Sequence, residues 1–123
     1  MSKFVTTTYG NRKEILKFPD HYVDLAVTVD DTGIAANADG RKIVPAGTII
    51  GNGILGDITK LAKKAVTTTG VSNAEGVLFY DVDVTYGPAS GALLIHGFID
   101  VSKLPTAPTT EEIAALKQIT FLK

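Results

Sequence analysis

Turn-forming residues interrupt this chain so often that only short extended elements fit between them. Asp30-Asp31-Thr32-Gly33, Asn37-Ala38-Asp39-Gly40, Pro45-Ala46-Gly47-Thr48, Gly51-Asn52-Gly53 and Tyr86-Gly87-Pro88-Ala89-Ser90-Gly91 each carry the Gly, Pro, Asn or Asp that tight turns require. The runs between them are rich in Val, Ile and Thr, which fit a pleated sheet better than a helix. The expected fold is therefore α+β and mainly β: a small barrel-like or sandwich-like domain with one or two short helices and an extended N-terminal arm. At 123 residues the chain forms one domain, large enough for a core without covalent staples.

Residues 21–29 alternate, with Val23, Leu25, Val27 and Val29 on one face, and read as a half-buried strand. Asp39-Gly40 is a strong hairpin signal, across which residues 41–44 pair back on what precedes them. Residues 48–50 form a short buried strand. Ile58, Leu61, Ala62 and Ala65 fall at helical spacing, and Lys63-Lys64 suits the C-terminal end of a helix dipole. A helix is predicted over residues 57–65, although the following Val66-Thr67-Thr68-Thr69 prefers strand. Residues 70–75 read as loop. Residues 76–85 and 92–101 are the strongest strands and form the clearest antiparallel pair. Thr109 and Glu112 have capping-box spacing, opening a helix that ends near Gln118 with Ile113, Ala115 and Leu116 toward the core. Residues 119–122 are a last extended piece.

Composition removes several functions. Without cysteine there is no disulfide scaffold, no thiol nucleophile and no cysteine-ligated metal. Twelve Lys and Arg against 13 Asp and Glu leave no basic footprint for nucleic acid, the one close cluster being Lys60, Lys63 and Lys64. No apolar run approaches the roughly 20 residues that span a bilayer, and Met1-Ser2-Lys3-Phe4 lacks the apolar core of a secretory signal. A soluble protein made in the cytoplasm is expected, with no nucleic-acid or membrane partner.

Catalytic arrangements are equally scarce. His96 lies within an apolar strand and is read as a satisfied or interface histidine; His21 is read as a surface residue at a strand start. Asp81 and Asp83 are two residues apart and would share one strand face, where a carboxylate pair can bind metal or move protons; a solvated strand end is the plainer reading. Gly87-Pro88-Ala89-Ser90-Gly91 is not a nucleophile elbow. Asn37-Ala38-Asp39-Gly40 lacks the ligands of a calcium loop, and Gly47, Gly51 and Gly53 have no phosphate-loop Lys after them. No catalytic residue, metal or cofactor is expected. A small hydrolase or metal enzyme built on His96 with Asp81 or Asp83 is the rival of a different class.

Three stretches carry a family resemblance. Pro45-Ala46-Gly47-Thr48-Ile49-Ile50-Gly51 resembles an element common in tailed-phage head decoration proteins. Glu75-Gly76-Val77-Leu78-Phe79-Tyr80-Asp81-Val82-Asp83-Val84 resembles the strand that follows it in those proteins, and Leu93-Leu94-Ile95-His96-Gly97-Phe98-Ile99-Asp100 resembles the next. Order and spacing match over residues 40–123. The resemblance implies a lambda-type capsid decoration, or cement, protein: a homotrimer on the outer surface of the virion head. Such a trimer binds the major capsid protein after expansion and stabilises the shell, without enzymatic activity or cofactor. In that family an N-terminal arm adds strand hydrogen bonds to the capsid.

The arm would be residues 1–20 and the decoration domain residues 21–123. By position alone, Phe4, Val5 and Tyr9 are the candidate capsid contacts. An ordinary first strand over residues 3–8 is the other reading of that segment. A capsid-anchored head fibre or adhesin module, displaying a surface rather than cementing the shell, is the alternative role.

Overall fold

The computed structural model describes residues 15–18 and 20–122. It is mainly β, with 39% of residues in strands and 8% in helix. Among the described residues ten strands follow in chain order: β1 (Val23–Val29), β2 (Ile43–Val44), β3 (Ile49–Gly51), β4 (Leu61–Lys64), β5 (Thr67–Thr68), β6 (Val71–Ser72), β7 (Gly76–Leu78), β8 (Val82–Asp83), β9 (Ala89–Asp100) and β10 (Ile119–Leu122). A 3-10 turn (Val101–Lys103) and one helix, α1 (Thr110–Ala115), separate the last two strands. No helix among the described residues is long and apolar enough to cross a membrane.

Six strands form the main sheet in the order β1-β4-β3-β7-β9-β10. The sheet curls until β1 also pairs with β9, Val29 opposite Ala89 and Val23 opposite His96. Five strands thus share a ring of pairings, and β10 continues from β9 in parallel, Ile119 opposite Gly97. β2 pairs with β8, and β5 with β6, as two short ribbons.

The central strands bury both of their faces. Ile50, Leu78 and Leu93 point into one apolar cluster with Val27 and Val29 of β1 and Ala62 of β4, so every strand of the ring contributes to this inner core. Their sequence neighbours Ile49, Val77 and Leu94 point the opposite way, into an outer core closed by Ile15, Leu16, Ile99, Leu116 and Ile119. Double-sided burial explains why residues 76–79 read as a nearly continuous apolar run while β1, with Ala26 and Thr28 in solvent, alternates. Gly76 is required by this closeness: a Cβ there would lie 2.6 Å from the Leu94 carbonyl oxygen.

Several local expectations are corrected. The helix over residues 57–65 is absent. Asp57 Oδ1 instead accepts from the amide (3.0 Å) and hydroxyl (2.5 Å) of Thr59, a turn that competes with helix, and residues 61–64 join the sheet between β1 and β3. Ile58, the first residue of that helical spacing, is exposed. Of residues 41–44 only Arg41 pairs back across Asp39-Gly40, its carbonyl accepting from the Asn37 amide (2.7 Å). The turn closes locally, Asn37 Oδ1 accepting from the amides of Asp39 and Arg41, and Ile43–Val44 cross to β8. The strand over residues 76–85 is broken into β7 and β8, and residues 70–75 contain β6. The Thr109–Glu112 capping box is present, with Thr109 N–H donating to Glu112 Oε1 (2.9 Å) and Glu112 N–H to Thr109 Oγ1 (3.2 Å). The helix stops at Ala115, and Leu116 is buried while Ile113 is 45% exposed.

Candidate interaction surface

Ile15 and Leu16 follow a polar stretch of sequence and find their apolar partners on the sheet. Both are buried in the outer core, and Leu16 bridges Ile99 in antiparallel register. The Lys17 N–H donates to the Phe98 carbonyl (2.7 Å) and the Asp100 N–H to the Ile15 carbonyl (2.8 Å). Residues 15–17 therefore run as a short added strand beside the end of β9. Part of the stretch read as arm thus belongs to the packed domain. Phe4, Val5 and Tyr9 lie outside the described residues.

Rings gather where this added strand meets β1 and β9. Phe18 stands edge-on to Phe98 at 5.4 Å, and His21 lies 5.9 Å from the same ring. Tyr22 meets Phe79 edge-on at 5.1 Å, and Phe79 stacks on Tyr80 at 4.4 Å. Such contacts add about 0.5–1.5 kcal/mol each beyond area burial. Leu16, His21 and Tyr22 converge on Gly97, where a Cβ would sit 3.4–3.5 Å from each of them. Phe18, Tyr22, Val23 and Tyr80 are all exposed, so the cluster presents an apolar aromatic surface to solvent.

The two histidines meet inside this surface. His21 Nε2 and His96 Nε2 are 3.0 Å apart, with the rings nearly perpendicular. One proton lies between the facing nitrogens, so one ring donates and the other accepts. His96 Nδ1 is buried and finds no hydrogen-bond partner in the protein. An orphaned buried N–H is costlier than an orphaned lone pair, which assigns the proton of His96 to Nε2, donating to His21. His96 thus acts as an anchor for the chain entering β1, and its register neighbour Val23 marks a shift in the β1–β9 ladder.

The carboxylates that an enzyme built on His96 would need are engaged elsewhere. Asp81 lies outside any strand, its Oδ1 accepting from the Ala46 amide (2.7 Å). Asp83 on β8 accepts from the Thr85 amide (3.0 Å) and hydroxyl and lies 3.6 Å from Arg41. The expectation that the two share a strand face is thereby corrected: the break after β7 turns Asp81 to a loop. Among the described residues no group of three or more His, Asp or Glu side chains is placed to hold a metal ion. Asp100, beside the added strand, keeps its carboxyl below the ordinary aspartate value. The Ser102 hydroxyl is the main cause, and the Ser102 amide, Lys17 and Lys103 add to it against a desolvation that opposes them.

The pairing of His21 with His96 was not visible in the sequence, where 75 residues separate them. The only signal was an imidazole inside an otherwise apolar strand. Comparison with family models, with curated proteins and with solved structures gives no match to this chain.

Proposed function

We propose that this protein is a capsid decoration protein: it binds the major capsid protein on the outer surface of an expanded tailed-phage head, as a homotrimer, and stabilises the shell. The observation that carries the reading is the arrangement of the three stretches resembling decoration proteins. They contribute β3, β7 and β9, which are consecutive neighbours at the centre of the sheet and supply both cores. The matching order in sequence thus follows one contiguous structural unit rather than scattered short similarities.

Two further features suit the role. The N-terminal segment reaches the domain as an added strand on β9, and strand addition is how an extended arm gains affinity from backbone hydrogen bonds. The aromatic surface beside it offers exposed rings of the kind that anchor interfaces. Linking several such arms in one trimer raises avidity through effective concentration.

Sedimentation of purified protein with expanded, undecorated heads tests the reading. Co-sedimentation that saturates at micromolar protein, and a rise in the temperature at which heads burst, is the expected result. Free protein remaining in the supernatant at that concentration would end the proposal. Binding without any change in head stability would replace cementing by display.

A further inference from the structure

Four Asp-x-Ser/Thr turns recur along the chain, and one of them differs from the rest. In Asp57/Thr59, Asp83/Thr85 and Asp100/Ser102 the aspartate accepts both the amide two residues on, at 3.0 Å each, and the hydroxyl. Asp57 and Asp83 are exposed to solvent and Asp100 is half-buried. Asp30, at the end of β1, is the buried member, its side chain only 6% exposed. It accepts the Thr32 hydroxyl alone, at 3.2 Å on Oδ1, and its other oxygen faces Lys63 Nζ at 3.8 Å, beyond hydrogen-bond length. Of these four carboxylates, the one most removed from water is thus the one with the fewest hydrogen bonds from the protein, the reverse of what burial demands.

This carboxylate lines a cleft of about 450 Å³. Val29, Ile43, Val44, Ile50 and Ala62 form an apolar part of the wall, and Thr32, Thr48, Lys63, Lys64 and Glu112 line the rest with other residues. Lys63 is half exposed on β4 and reaches Asp30 only loosely, so its ammonium occupies the position of a cation without filling the cleft. A largely apolar cleft with a buried, under-satisfied carboxylate in its lining matches a long aliphatic stem tipped with a cation, the chemistry of a lysine or arginine side chain.

We propose that this cleft captures a basic side chain, lysine or arginine, presented by a partner polypeptide, with Asp30 as its counter-ion and Lys63 as the internal cation it displaces. The site lies apart from the aromatic surface and does not depend on the capsid reading.

Titrating isotope-labelled protein with N-acetyl-lysinamide, N-acetyl-argininamide and N-acetyl-norleucinamide, followed by amide chemical shifts, tests this. The basic probes are expected to perturb residues 29–34, 43–50 and 62–64 at millimolar concentration. The norleucine probe, of equal shape without charge, should bind at least tenfold more weakly. Asp30→Asn, which keeps the side-chain size and an acceptor for Thr32, should weaken the basic probes about tenfold. Lys63→Met should strengthen them several-fold by removing the competitor, an effect opposite in sign to any loss from misfolding. Equal binding of norleucine, no perturbation of those residues, indifference to Asp30→Asn, or no gain in Lys63→Met would each overturn the proposal. Spermidine binding the same residues more tightly than either basic amino-acid probe would overturn the polypeptide source in favour of a free polyamine.

Discussion

The inner and outer cores share the same three strands yet are closed by different parts of the chain. The inner one is completed by Val27, Val29 and Ala62 of the ring and by the separate β2–β8 ribbon. The outer one is completed by segments from both ends of the described chain, Ile15 and Leu16 before the ring and Leu116 and Ile119 after it. Adjacent residues on one strand therefore answer to different masters: Leu93 to the ring, Leu94 to the terminal segments. The inner core rests on the sheet itself, whereas the outer core can be opened by lifting a short piece of backbone.

The largest effects should come from the shared strands. Leu93→Ala and Leu94→Ala each remove a fully buried side chain and should cost about 2–5 kcal/mol in denaturant unfolding. Ile15→Ala, on the lifted edge, falls in the same range but should sit toward its lower end, because the added strand can adjust toward β9. Protease cleavage near residues 15–18 should rise in that variant and stay unchanged in Leu93→Ala under native conditions. Cleavage rising equally in both would erase the distinction between the cores.

Smaller changes probe their independence. Ile49→Val and Ile50→Val should each cost about 1 kcal/mol, from opposite faces of β3. The double variant should be additive to within about 0.5 kcal/mol. A larger coupling would merge the two cores into one. Acid should have the smallest effect. Asp83 lies below the ordinary aspartate value of 3.8, chiefly through the Thr85 hydroxyl, then the Thr85 amide, with Arg41 contributing. A carboxyl lowered on folding stabilises fully above its unfolded value and loses that contribution as pH falls through its folded one. Thr85→Val should therefore lower stability at neutral pH slightly, and that deficit should shrink as pH falls below about pH 4, where the parent protein has lost the same contribution.

How much of this was readable in the sequence follows from the range of each interaction. β1 was legible because only one of its faces is buried, so Val27 and Val29 alternate with exposed Ala26 and Thr28. The Thr109–Glu112 cap was legible because all its atoms lie within four residues. Residues 57–65 misled because Ile58, Leu61, Ala62 and Ala65 satisfy helical spacing, while the deciding contacts, β4 with β1 and β3, are made by distant chain. The break at residues 79–81 was hidden for the same reason: Asp81 is drawn out of line by the amide of Ala46. The aromatic surface and the Asp30 cleft are assembled from segments that never adjoin in sequence. Spacing can show that a histidine or an aspartate is present in a strand, but not what it will face.

The pairing of residues 15–17 with the end of β9 also bears on the order of folding. Leu16 meets Ile99 across most of the chain, and β1 meets β9 across a similarly long loop, whereas β3 and β4 are near neighbours. Long closures lose more chain entropy before any contact compensates for it, so the rate should be set by ring formation, with the leading segment docking after the barrier. Stopped-flow kinetics should then show Ile15→Ala accelerating unfolding with refolding almost unchanged, and Leu93→Ala slowing refolding. On that ordering the outer core is the last part to assemble and the first to come undone.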